Sequence, residues 1–328
     1  MLQNNMTEEE ANNMTEEEAV TPDYYDTDYV DEICRKDDVV KVGSILIPVF
    51  FSLVVVLSCI GNILVLVILA LYESLKSLTN VFILNLALSD LLFTFGLPFW
   101  ASYFIWGWTF GDIGCKAVKF LFCVGFYSSV LFLTLMTIQR YMAVVHPLSD
   151  WEKCRGFSVA PFIIWILSGT AALLVSLRSK VLEHDNNINC EFDSIRAKHV
   201  AVYLQSIFFL IALCIMGFCH FRMFLTIAQS RTRLRNKTIK LIFCINLVFF
   251  IGWAPYNIVM LLRIFQDYGL TPFTDCRVSI HLDYAFYACR LLAFSHCCLN
   301  PVFYVFIGVK FRNHLKLILQ KIKKKFKK

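Results

Sequence analysis

Seven stretches of this chain are so apolar over such length that they dictate its environment. They lie at about 43–72, 79–104, 112–145, 157–177, 200–228, 238–265 and 279–306. Crossing a bilayer core takes roughly 20 apolar residues in a helix rising about 1.5 Å per residue. Lipid offers no partner for a free N–H or C=O, so each stretch has to be helical. The runs are continuous and lack the alternation of ten-residue barrel strands, which excludes a transmembrane β-barrel. Only 17% of residues are charged, against 58% hydrophobic, which excludes a disordered chain and a water-soluble enzyme. The fold class is an all-α membrane protein, a bundle of seven transmembrane helices. Within 328 residues it leaves little room for a further soluble domain.

The basic residues orient the bundle. With the N-terminus outside, inner segments hold 19 Lys and Arg and outer segments 11, while acids number 21 outside and 3 inside. The chain therefore divides into an extracellular acidic tail (1–42), the bundle (43–306) and a cytosolic basic segment (307–328). The first 42 residues have no apolar leader, so the first span is expected to serve as the insertion signal.

Residues 4–19 are a tandem duplication of NNMTEEEA, and each copy carries an N-x-T sequon, at Asn5 and Asn13. The tail holds 13 acids and 3 bases and cannot bury a core, so it is expected to be disordered. Tyr24, Tyr25 and Tyr29 stand among aspartates, an electrostatic lure for a basic protein ligand. Of 13 cysteines, Cys34, Cys115, Cys190 and Cys276 fall in outer segments, which leaves three pairings open. One of them, Cys115 with Cys190 and Cys34 with Cys276, would tie loop to bundle and tail to rim.

Several bundle residues need a reason to be there. Asp90 is the single acid deep in a span, which marks it as functional. Asn62, Asn85, Ser89, Asn300 and His296 are its expected companions in a polar pocket, a candidate site for Na⁺ or a proton. Pro98, Pro255 and Pro301 interrupt helix hydrogen bonding and permit pivoting. Trp253 stands two residues before Pro255, where a large ring can sense a ligand at the kink. Arg140, in Gln139-Arg140-Tyr141, ends the third span at the inner face.

Taken together, these residues resemble a class A (rhodopsin-like) G-protein-coupled receptor, and within it a chemokine receptor. The resemblance spans all seven helices. It rests on Gly61-Asn62, LNLALSDLL (84–92), LPFW (97–100), Trp106 and Trp108, QRY (139–141), Trp165, WAPYN (253–257) and HCCLNPVFYVFIGVKF (296–311). The last segment, which joins HCC to Asn300-Pro301 and Tyr304, and the Cys34/Cys276 arrangement are the most specific. The chain looks most like XC-type (lymphotactin) and CC-type receptors.

The resemblance implies capture of a basic chemokine by the acidic tail, followed by entry of the chemokine's N-terminus into the bundle. Family position makes Trp100, Tyr103, Phe122, Tyr256, Asp283, Tyr284, Tyr287 and Arg290 the ligand-contacting candidates. Asp90, Gln139, Arg140, Tyr141, His220, Trp253, Pro255, Asn300, Pro301 and Tyr304 are then the switch and coupling residues. They would open an inner cavity to a heterotrimeric G protein of the inhibitory class.

Some residues depart from the family pattern. Arg290 stands where most members carry Glu, and Asp283 on the same face would pair with it or receive the ligand's amine. Gln139 replaces the acid of the usual Asp-Arg-Tyr, which predicts raised basal activity. His220 replaces a Tyr, which pushes the other way, and Ala212 replaces a Pro; Gln139 and His220 favour the alternative of a decoy that binds chemokine without signalling. The segment after Gly308 alternates Phe311, Leu315, Ile318 and Ile322 with lysines, and reads as a short amphipathic helix on anionic inner-leaflet lipid. No Ser or Thr follows Ser295, which predicts weak desensitisation. This tail, Gln139 and the duplicated N-terminus together resemble virus-encoded chemokine receptor copies. A transporter would need repeated halves or several intramembrane acids, and no enzyme motif or nucleic-acid feature is present. The expected location is the plasma membrane.

Overall fold

The computed structural model describes residues 34–147, 155–184, 187–229 and 237–326. Residues 1–35 form a separate unit, of which Cys34 and Arg35 are described, and Cys34 is disulfide-bonded. Tyr24, Tyr25, Tyr29, Asn5 and Asn13 lie outside the described residues.

From Lys36 onward the chain is a helical bundle. Its elements are α1 (Asp37–Tyr72), α2 (Leu78–Trp106), α3 (Gly111–Val145), α4 (Arg155–Leu177), β1 (Ser179–His184), β2 (Asn187–Phe192), α5 (Ile195–Gln229), α6 (Lys237–Asp267), α7 (Cys276–Phe294), α8 (His296–Ile307) and α9 (Val309–Phe326). Among the described residues, α1 to α6 are each long and apolar enough to cross a bilayer, and α7 with α8 meets that condition as one span bent by 41°. The seventh stretch is thus one span made of two helices that meet at a bend.

Just past this bend, inside α8, the backbone has a gap to fill. Pro301 has no N–H, so the carbonyl of Cys297 one turn earlier loses its helical donor. α1 supplies the replacement: Asn62 Nδ2 donates to that carbonyl at 2.8 Å and Ser58 Oγ at 3.3 Å. A Cβ on Gly61 would stand 2.8 Å from the Pro301 ring, so only glycine lets α1 approach this closely. In lipid, small residues and interhelical hydrogen bonds do the work that apolar burial does in water.

The same device joins α2 to its neighbours. A Cβ on Gly125 of α3 would lie 2.8 Å from the Phe93 backbone nitrogen. Ser128 Oγ donates to Ser89 Oγ at 2.7 Å, and the Trp165 indole of α4 donates to Asn85 Oδ1 at 2.8 Å. Outward faces are apolar: Ile45, Val49, Leu53, Ile60, Phe162, Ile166 and Phe221 are all exposed, as helices facing lipid require.

The β1–β2 hairpin is antiparallel, with Val181 opposite Cys190. It is the departure from an all-helical chain among the described residues. Cys190 bonds Cys115 at the start of α3, and both pack on buried Trp108, whose backbone N–H donates to the Ile188 carbonyl at 2.8 Å. Cys276 is also disulfide-bonded. At the far end, α9 lies against α1: His314 pairs with Glu73 at 3.1 Å and stacks on Tyr72.

Candidate functional site

Beneath the hairpin, α1, α2 and α7 turn aromatic side chains toward Arg290, and rings of α3 and α6 pack behind them. This guanidinium is 8% exposed and lies over Trp100 at 4.9 Å, Phe104 and Phe294 at 5.2 Å, Phe286 at 5.7 Å and Phe51 at 5.9 Å. Of the expected ligand residues, Trp100, Tyr103, Phe122, Tyr256 and Tyr287 join this cluster. Trp100 packs on Tyr103, Tyr256 and Tyr287 each pack on Phe286, and Phe122 packs on Phe294. The Tyr103 hydroxyl donates to Asn189 Oδ1 at 2.9 Å, which ties the cluster to the hairpin. Tyr284 stays exposed, because one residue beyond Asp283 turns its side chain about 100° from the shared face.

Asp283 does not pair with Arg290. Its carboxylate bridges Lys36 (2.7 Å) at the entry to α1 and Arg263 (3.1 Å) of α6. Lys36 and Arg263 reach Asp283 from flanking helices, whereas Arg290 lies two turns deeper among rings. Sequence reading missed Lys36, Arg263 and the Phe51, Phe104, Phe286 and Phe294 walls. A phenylalanine in an apolar run carries no sign of which way it points.

Below this cluster stands Trp253, 1% exposed, with ring contacts to Tyr256 (5.5 Å), Phe126 (4.2 Å) and His296 (5.5 Å). Pro255 lies inside the same helix. His296 leads on to Asp90, which is fully buried. Asn300 Nδ2 donates to Asp90 Oδ2 at 2.7 Å and Ser129 Oγ to Oδ1 at 3.2 Å, while His296 Nε2 is 3.8 Å away. His296 Nδ1 sits 2.7 Å from the Ala293 carbonyl, an acceptor only, so the ring hydrogen belongs on Nδ1.

Of the companions expected for Asp90, Asn300 and His296 are there. Asn62, Asn85 and Ser89 serve the interhelical bonds described above, because helix rotation turns them toward α8, α4 and α3. Ser129 was the missed member. Carboxylate, hydroxyl and amide oxygens are the donors a hard cation takes. No group of three His, Cys, Asp or Glu side chains stands ready for a metal among the described residues.

At the opposite end, Arg140 Nη2 donates to Thr79 Oγ1 at 2.5 Å, and Thr79 donates onward to Gln139 Oε1 at 3.3 Å. Thr79 had no signal in sequence. The Tyr141 hydroxyl stands 3.2 Å from His146 Nε2. His220 Nε2 is 2.9 Å from Asn246 Nδ2, which also donates to Thr137 Oγ1 at 2.7 Å. Imidazole, amide and hydroxyl thereby join α5, α6 and α3. Tyr304 is buried and packs on Phe311 of α9.

A seventh span bent over a buried carboxylate, an aromatic cluster under a disulfide-anchored hairpin and an arginine at the far end of α3 define a heptahelical receptor. Residues 61–304 match the family model of the 7 transmembrane receptor (rhodopsin family). The chain is 43% identical to chemokine XC receptor 1 of Homo sapiens over 277 residues, 83% of this chain and 80% of that protein. It is 40% identical to the Mus musculus chemokine XC receptor 1, covering 90% of each, and 35% identical to human C-C chemokine receptor type 1, covering 92% and 88%. The chain belongs to the rhodopsin family of seven-transmembrane receptors, in its chemokine receptor branch. It is a multi-pass membrane protein and not an enzyme.

Proposed function

We propose that this receptor binds a basic chemokine at its hairpin end and passes the event to a heterotrimeric G protein, of the inhibitory class, at the Arg140 end. One observation carries the reading: an unbroken run of packed rings leads from the Arg290 cluster through Tyr256 and Trp253 to His296 beside Asp90. A ligand segment that pushes on Tyr256 or Phe294 displaces Trp253. Trp253 belongs to α6 two residues before Pro255, so displacing its ring can swing the helix at that proline. The names of the chemokine receptor relatives support the ligand class.

In this reading the hairpin end is extracellular, which the distribution of basic and acidic residues supports. The acidic tail with Tyr24, Tyr25 and Tyr29 makes the first capture, and Asn5 and Asn13 carry glycans. Asp90, Ser129 and Asn300 supply oxygens to Na⁺ in the resting state. α9 rests on anionic lipid through its lysines. Uncharged Gln139 raises basal activity.

A second reading is a decoy that binds chemokine without nucleotide exchange. The His220–Asn246–Thr137 clamp across α3, α5 and α6 favours it, since α6 must part from that clamp to open the cavity. Membranes bearing the receptor and G protein are assayed for chemokine binding and for GTP-analogue uptake, using a panel of labelled basic chemokines. Binding with added exchange supports a signalling receptor, and binding without exchange supports the decoy. Failure of every chemokine to bind overturns both.

A further inference from the structure

Arg290 is the single Lys or Arg in the buried class among the described residues. An arginine keeps its charge at any pH a cell meets. Buried charges ordinarily find a counter-charge and hydrogen-bond acceptors. Arg290 has neither among the described residues: no ion pair or hydrogen bond engages it, and its Nε is buried without a partner. The surrounding rings present negative faces that soften the cost, yet a ring face gives no lone pair matching the guanidinium fork.

The neighbouring acid cannot reach it. Asp283, two turns up the same helix, already holds Lys36 and Arg263. The charges facing Arg290 from other elements add to its deficit, for Lys119 of α3 and Arg263 of α6 both lie within electrostatic range. A second donor is also idle, because the Trp100 indole N–H is buried without an acceptor on the same wall. Two unsatisfied N–H groups, one of them cationic, thus lie buried side by side among aromatic rings.

We infer that Arg290 and the Trp100 indole form an anion subsite that takes a carboxylate on an apolar or aromatic stem, supplied by an Asp or Glu side chain in the ligand segment that enters the bundle. Two carboxylate oxygens match the guanidinium fork, and a second acceptor lobe can meet the indole. The stem lies on Phe104, Phe286 and Phe294. This deepens the reading above and rests on it only for the carrier of the acid. A basic ligand drawn in by an acidic tail would here need a local patch of the opposite sign, which selects among cationic ligands by one side chain.

The test uses the full receptor in nanodiscs, with 4-biphenylcarboxylate and its neutral carboxamide as probes and thermal stabilisation as readout. The acid is expected to bind about tenfold or more tighter than the amide. Arg290→Gln is expected to erase that preference and Arg290→Lys to keep part of it. Should Arg290→Gln fail to fold, the acid–amide comparison on the unaltered receptor and on Arg290→Lys still decides. Equal affinities, no binding of either probe, or a preference that survives Arg290→Gln each overturn the subsite. Two hexapeptides differing only as Glu or Gln identify the carrier, and no preference for the Glu peptide overturns the side-chain assignment. Loss of chemokine binding with the acid preference intact removes the chemokine reading alone.

Discussion

Asn62 replaces a hydrogen bond that Pro301 cannot make, so the two residues should be energetically coupled. In Asn62→Leu the Cys297 carbonyl keeps only the longer Ser58 contact, at 3.3 Å instead of 2.8 Å. Orphaning a buried acceptor costs about 1–3 kcal/mol, while interhelical hydrogen bonds in membranes average about 0.6 kcal/mol. Against that cost, Asn62 Oδ1 is itself buried without a partner, and leucine removes it. The net loss is therefore about 1–2 kcal/mol. Pro301→Ala returns an N–H to the Cys297 carbonyl, so in that background the same Asn62→Leu change should cost about 0.5 kcal/mol or less. Reversible SDS titration in mixed micelles, followed by fluorescence of the 6 tryptophans, gives the four stabilities of the cycle. A coupling of about 1 kcal/mol is expected. If the leucine substitution costs the same in both backgrounds, Asn62 does not stand in for the hydrogen bond that Pro301 lacks.

Three further outcomes are expected. Gly125→Ala forces a methyl group to 2.8 Å from the Phe93 backbone and should lower stability by about 1–3 kcal/mol, whereas Gly217→Ala, with nothing within 4 Å, should be near neutral in the same titration. Cys190→Ser opens a cross-link spanning 75 residues; chain entropy sets its loss at up to about 4.5 kcal/mol, and surface expression should fall, so undiminished expression would count against the hairpin as an anchor. His220→Ala releases one arm of the clamp on Asn246. At about 1 kcal/mol for that bond, ligand-free nucleotide exchange should rise roughly fivefold, and unchanged exchange would argue that the clamp holds nothing back.

Hydropathy is a local property, and local properties were readable. The helices, their approximate limits, the amphipathic α9 and the isolation of Asp90 all follow from solvent choice and periodicity along the chain, because lipid leaves the backbone so few ways to satisfy itself. Most of the aromatic ligand candidates also meet in one place. Partners were a different matter. Whether Asp283 reaches Arg290 or Lys36, whether Ser89 or Ser129 faces Asp90, and which carbonyl Asn62 serves all depend on the rotation and tilt of packed helices. A side chain's azimuth relative to another helix leaves no periodic trace when the whole run is apolar. The hairpin was invisible for the related reason that six-residue strands between long helices carry little pattern of their own. From residue order alone came the number of crossings and the chemistry available inside them. Tertiary packing decided which of those groups meet, and so left Arg290 among rings with its charge unanswered.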